Sequence, residues 1–299
     1  MPKISICIPT YNQPVLLKRL LDSIYSQDFT DFEVIITDDS TDDSVHTVVL
    51  SYQNSNILYV HNSPSLGPGG NWNRAMELAT SDVIKIMHQD DFFTYSYSLS
   101  RIYEKMITEQ SDFVFCGTRE YFDENNFYFR SASSKQEKFI KENIYNLYKG
   151  NYIGAPSATI FRKGVCKFDS NLKWLIDIDF YISYLQNSSN FIRITEPLIS
   201  IGRHFEQTTQ SCINNKDLML YEYTYILKKY NLQKKWNFVF FFAIYLANIG
   251  IPRGAIVKEV PFSMFPFFLI YFQNLLSLPK RILKKITKVV FKIFNYKKI

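Results

Sequence analysis

The 299-residue sequence opens without a long apolar run, contains no paired cysteines and has no stretch fit to cross a bilayer; each absence removes a class of protein. Met1 to Pro9 carries one lysine and a brief apolar run ending in a turn signal, too short for the core of a secretory signal, so cytosolic synthesis and residence are expected. Cys7, Cys116, Cys166 and Cys212 lie far apart with no CxxC pair, which excludes an encoded zinc site or disulfide framework and predicts buried free thiols. A GxGxxG fingerprint is also missing. Gly67-Pro68-Gly69-Gly70 follows the third rather than the first strand and contains a proline, so a Rossmann dinucleotide site is rejected. Trp236 to Ala247 and Pro261 to Leu278 are apolar and aromatic, but Asn237, Asn248 and Gln273-Asn274 border or interrupt them; a span needs about twenty apolar residues.

What is present suits one large α/β domain with an appendage: 46% of residues are apolar and 21% charged. The boundary falls near residue 210, giving a domain over 1–210 and a helical region over 211–299. The formal charge of +6 belongs to the end of the chain, since residues 280–299 hold eight Lys or Arg and no acid. Ile282, Leu283, Ile286, Val289, Val290, Ile293 and Phe294 recur at helical spacing among those lysines, the pattern of a helix lying on an anionic membrane surface. A helix packed on its own domain has the same pattern. Nucleic acid is disfavoured, because the interleaved residues are bulky aliphatics rather than stacking aromatics.

Ile4 to Ile8 reads as a strand, Leu16 to Ile24 as a helix and Phe32 to Thr37 as a second strand, followed by a helix over Asp42 to Tyr52. Strands over Ile57 to His61 and Val83 to Met87 flank a helix over Asn71 to Leu78. Such alternation predicts a parallel sheet covered by helices on both faces. Phe113 to Gly117 continues the strands, Gln110 to Lys149 is polar and irregular, and Gly154 to Arg162 reads as a turn and strand. Helices over Asp177 to Gln186 and Lys216 to Tyr230 enclose strands over Phe191 to Ile201, broken by Pro197.

Ligands of open α/β sheets sit beyond the carboxyl ends of the strands. There the first, second and fourth strands deliver Pro9-Thr10-Tyr11-Asn12, Asp38-Asp39 and His88-Gln89-Asp90-Asp91. Two acidic pairs on one rim repel unless a cation or hydrogen-bond donors compensate, and hard cations such as Mg²⁺ or Mn²⁺ combine few carboxylates with phosphate oxygens. Asp42 and Asp43 equally suit a helix N-terminus. Asp39 is placed to accept hydrogen bonds from a nucleoside.

Those segments, together with Asn71-Trp72-Asn73-Arg74, resemble family 2 glycosyltransferases in order and spacing over residues 1–210. The resemblance implies a GT-A fold, with a mixed, mainly parallel sheet flanked by helices. It also implies a nucleotide-sugar donor, a divalent metal and inversion at the anomeric carbon. Carried over by position, it puts Pro9, Thr10, Tyr11, Asn12, Asp38 and Asp39 around the donor, with Asn73 or Arg74 and Gln89 nearby. Asp90 matches the metal-binding acid of the Asp-x-Asp motif, Asp91 stands in reserve, and His88 replaces the motif's first acid.

Trp174-Leu-Ile-Asp177-Ile-Asp179 resembles the acceptor-side segment, with Asp177 as catalytic base and Trp174 and Asp179 beside the acceptor; a helix N-terminal acid is the structural alternative for Asp177. Arg203-His204 resembles the closing loop, so Arg203 is expected at the diphosphate and His204 at the metal. Lys85 and Trp72 read as structural. The expected acceptor is a lipid-linked or surface glycan, met by an enzyme held peripherally at the inner face of the cell membrane. Two rivals are a nucleotide-sugar binder without turnover and a nucleotidyltransferase.

Overall fold

The computed structural model describes residues 1–52, 56–188, 190–203, 212 and 214–260. It divides the chain into two units, Met1–Ser211 and a second beginning at Cys212.

In the first unit, β1 (Ile4–Thr10) is buried on both faces, which is why its apolar run is continuous rather than alternating. Helix α1 (Pro14–Tyr25) begins on a proline, whose missing N–H is no loss in a first turn, and buries Leu17, Leu20, Leu21 and Ile24. β2 (Phe32–Asp38), α2 (Ser44–Leu50), β3 (Ile57–His61), α3 (Gly67–Leu78) and β4 (Val83–Ile86) complete the first half. The glycine segment Gly67 to Gly70 forms the first turn of α3. Gly67 enters at φ +70°, and a Cβ on Gly69 would lie 3.0 Å from the Ser170 backbone, so the glycines admit close packing there.

The second half contains β5 (Phe92–Phe93), α4 (Ser98–Thr108), β6 (Phe113–Tyr121), β7 (Phe127–Arg130), α5 (Ser134–Glu142), β8 (Thr159–Arg162), α6 (Ile176–Asn187) and β9 (Phe191–Gly202). The strands form one sheet in the order β3-β2-β1-β4-β8-β6-β9-β5, with β7 paired to β6. β1 to β4 run parallel, whereas β8 pairs antiparallel with both neighbours. Ile4, Ile6 and Ile8 share a buried cluster with residues of α1, α2 and α4. On the other face Cys7 donates to the Ala75 carbonyl of α3, and Phe180 and Tyr184 of α6 pack on Phe161.

The second unit contains α7 (Lys216–Lys229), α8 (Trp236–Asn248) and α9 (Arg253–Glu259). The apolar α8 spends its rings inside this unit: Phe238 and Phe242 are fully buried, and Tyr245 meets Tyr223 of α7 at 4.7 Å. No described helix is long and apolar enough to cross a membrane. Pro261 to Leu278 and the basic segment 280–299 lie outside the described residues. All four cysteines are free; Cys166 is partly exposed and the other three are buried.

Candidate active site

β1 lies between β2 and β4, so the loops leaving all three strands meet at the point where the chain's windings diverge, the usual crevice for a ligand. The loops are tied together. Tyr11 N–H donates to Gln89 Oε1 and Gln89 Nε2 donates back to the Tyr11 carbonyl, both at 2.9 Å. Asn12 takes the left-handed conformation at φ 51°, its N–H donates to Ser40 Oγ, and its Oδ1 accepts from Thr41 N–H. Gln89 therefore acts as a clamp between loops, with its amide engaged at both ends.

The two acids after β2 separate in role. Asp38 is fully buried, and its oxygens accept from Thr10, Ser40 and Tyr59 hydroxyls, which braces the loop. Asp39 accepts from Asn62 Nδ2 and Leu66 N–H on Oδ1, leaving Oδ2 without a protein partner among the described residues. Asn62 also donates to Asn71 Oδ1, and Asn71 donates to the Thr10 carbonyl. Asn71, not Asn73, is thus the asparagine of α3 at this rim. Asn73 exchanges two hydrogen bonds with the Phe168 backbone, and exposed Arg74 faces Glu77 one turn along its helix at 3.9 Å.

After β4, His88, Asp90 and Asp91 bring one ligand atom each to within 4.8 Å of one another. Burial holds the His88 imidazole below its ordinary pKa, and its Nε2 is enclosed without a partner among the described residues. Burial and the adjacent Asp90 charge push the Asp91 carboxyl well above the usual carboxylate range, against support from Ser157 and the Gly202 N–H. A neutral imidazole beside two acids that resist joint ionisation is a donor set that fits a divalent cation, which would favour both carboxylates. His88 was read only as a substitute for the motif's first acid. Its capacity as a ligand emerges from folding, which turns Nδ1 to 4.0 Å from Asp91. His204 lies outside the described residues.

Neighbouring residues fix this loop. The Asp90 carbonyl accepts from the Arg19 guanidinium at 2.5 Å, and a Cβ on Gly202 would lie 2.2 Å from that same oxygen, so only glycine fits at the end of β9. Arg203, expected at the diphosphate, holds buried Glu120 through Nε at 2.7 Å and through Nη2. Its charge still helps to lower the Asp91 proton affinity. Lys85 is fully buried on the Ser157 and Thr159 carbonyls, a structural role as expected. Trp72 packs on His88 at 4.5 Å and edge-on to Phe168.

Asp177, in the first turn of α6, is mostly enclosed. Asn151 Nδ2 donates to its Oδ2 at 2.6 Å and the Ile178 N–H to its Oδ1 at 2.7 Å, yet burial still raises its pKa to about 7. Asn151 is itself locked by Gly154, donating to its carbonyl and accepting from its N–H. Three residues further on, Ser157 accepts from the His88 N–H at 2.9 Å. One short segment, 151–157, therefore touches both Asp177 and the His88 loop. Asp179, expected beside the acceptor, is 1% exposed and belongs to the interior, while Trp174 is partly exposed just before α6.

A sheet of this order, with acids and an imidazole at one rim and a carboxylate of raised proton affinity on the adjoining wall, defines a GT-A glycosyltransferase. The model of glycosyl transferase family 2 matches residues 5–168, and the chain belongs to that family. It is similar to the putative colanic acid biosynthesis glycosyl transferase WcaA of Escherichia coli K12, 28% identical over 184 residues, which is 60% of this chain and 65% of that protein. It is also 35% identical over 96 residues, 31% of this chain and 17% of the relative, to the poly(ribitol-phosphate) beta-N-acetylglucosaminyltransferase TarS of Staphylococcus aureus.

The crystal structure of TarS 1–349 in complex with UDP-GlcNAc shares the fold at TM-score 0.60 and 18% identity, over 86% of this chain and 70% of that one. The mannosyltransferase PcManGT from Pyrobaculum calidifontis, in complex with GDP-Man and Mn²⁺, does so at 0.54 and 15% identity, over 98% and 85%. Membership of the family makes the reaction glycosyl transfer. The binder without turnover and the nucleotidyltransferase are set aside.

Proposed function

We propose that this glycosyltransferase works by a single inverting displacement, in which Asp177 removes the proton from an acceptor hydroxyl as that oxygen attacks the anomeric carbon. The observation that carries this reading is the Asp177 carboxylate itself: oriented by Asn151 and the Ile178 N–H, with a pKa raised to about 7, where a general base works at neutral pH. Asp39 Oδ2 receives the nucleoside, beside the loop of Tyr11 and Asn12. His88, Asp90 and Asp91 would hold Mn²⁺ or Mg²⁺, which supplies positive charge to the departing diphosphate. Arg19 and Gly202 keep the Asp90 loop in place during transfer.

UDP-sugar is the donor we favour, because TarS is seen with UDP-GlcNAc; Mn²⁺ in PcManGT supports the cation. The names of WcaA, a colanic acid biosynthesis transferase, and TarS, a poly(ribitol-phosphate) transferase, support a polymeric acceptor, which we take to be a surface or lipid-linked glycan. Residues 1–210 form the transferase domain in this reading. The basic, aliphatic segment 280–299 brings it to an anionic membrane from the cytoplasmic side. The deciding experiment compares Asp177→Asn with wild type: nucleotide-sugar binding should persist while transfer falls about 10²–10⁴-fold. Transfer at the wild-type rate would remove Asp177 as base.

A further inference from the structure

We propose that the β6–β7 hairpin is the acceptor platform, on which a carbohydrate chain lies across the rings of Phe127, Tyr128 and Phe129 with its growing end toward Asp177. This deepens the function proposed above and rests on the same site. A strand in a packed sheet normally buries every second side chain. In β7 all four residues are exposed: Tyr128 is 54% and Phe129 61% accessible, and Phe122 across the turn is 49%. The rings form a set, with Phe127 and Phe129 centroids 5.6 Å apart and Phe122 and Tyr128 6.4 Å apart. Arg119 places its guanidinium 5.4 Å from the Phe127 ring. Clustered exposed aromatics that stabilise no core mark a binding surface.

Position and charge select the occupant. Arg130, the last residue of β7, donates from Nη2 to the Asn151 carbonyl at 2.8 Å, and Asn151 donates to Asp177. The aromatic strand is therefore two hydrogen bonds from the proposed base. The turn of the hairpin carries exposed Asp123 and Glu124, which oppose anionic lipid headgroups and the phosphates of a nucleic acid. Sugar rings suit the surface. Their C–H faces carry slight positive charge that meets the negative face of an aromatic ring, and their hydroxyl edges can accept from Arg119 and Arg130. Because rings stand on both faces of the hairpin, a chain that wraps it satisfies them where a flat partner covers one face only.

The test uses the fluorescently labelled full chain on a printed array of bacterial surface glycans. Wild type and Val15→Ala, an exposed apolar change elsewhere, should capture the same glycans. Phe127→Ala combined with Phe129→Ala should weaken that capture about tenfold or more, the loss expected for aromatic anchors. Thermal unfolding reports that the double variant folds. Capture is read without any transfer step, so it is independent of whether Asp177 is the base.

Two parallel measurements use the same proteins: cosedimentation with phosphatidylglycerol–phosphatidylcholine vesicles and sedimentation equilibrium. Both should be unchanged by the double substitution. The proposal is overturned if wild type captures no glycan, if the double variant captures them equally, or if the substitutions instead abolish vesicle binding or dissociate a dimer.

Discussion

Asp177 draws its proton affinity mainly from burial, with Asn151, the Ile178 N–H and the Arg130 charge acting in the opposite sense. Its folded pKa stands above the unfolded value, so the neutral acid is the form that folding favours. The linked stability is present at acidic pH and is lost as pH rises from the unfolded value of 3.8 through about 7. Two outcomes follow for one residue. The rate of transfer should climb through a midpoint near 7, because only the ionised carboxylate accepts a proton, and kcat/KM against pH checks this. The pH dependence of urea unfolding between pH 4 and 8 should be smaller in Asp177→Asn than in wild type, since the amide does not titrate. Asp39, Asp90 and Asp177 could be singled out in the sequence because each stands at a strand or helix end, and the structure places them at those ends. Asn62 and Asn151 could not, because each earns its place by a partner more than twenty residues distant, which no local pattern announces. Asp38, adjacent to Asp39, has hydrogen-bond partners inside the loop that the sequence did not announce.

Among the elements, β1 to β4 were readable because buried parallel strands show as short apolar runs between helical periods. The polar stretch expected to be irregular contains β7 and α5. The latter carries a capping box, with Ser133 accepting from the Gln136 N–H and the Gln136 side chain returning to the Ser133 N–H, a signal present in the sequence but passed over. Pro197 did not break the last strand. β9 shifts register against β6 around Gly117, where a Cβ would lie 2.5 Å from the Thr195 carbonyl, and the irregularity removes the ladder bond a proline cannot make. Gly202 ends the same strand against the Asp90 carbonyl. Gly202→Ala must displace that loop, and should weaken Mn²⁺ binding about 10–100-fold in a spectroscopic titration, as expected when support around a metal ligand is disturbed. Asn71→Ala, which leaves the Thr10 carbonyl without its side-chain donor, should cost about 1–3 kcal/mol in urea unfolding.

At the scale of the whole molecule, the eight Lys or Arg of residues 280–299, with no acid among them, account for the net charge of +6. If the segment serves as the membrane attachment, removal of residues 261–299 should release the protein from phosphatidylglycerol vesicles, each Lys or Arg near the surface contributing about 1 kcal/mol. Vesicle sedimentation with full and shortened chains reads this directly. The claim on which the account turns is that His88, Asp90 and Asp91 would hold a divalent cation that supplies positive charge to a nucleoside diphosphate. Calorimetric titration of the full chain with UDP and GDP, with and without Mn²⁺, addresses it most directly. One of the two nucleotides should bind about 10–100-fold more tightly with the cation, and Asp90→Asn should abolish that gain. Equal affinity with Mn²⁺ and with a chelator, unaltered by Asp90→Asn, would contradict it.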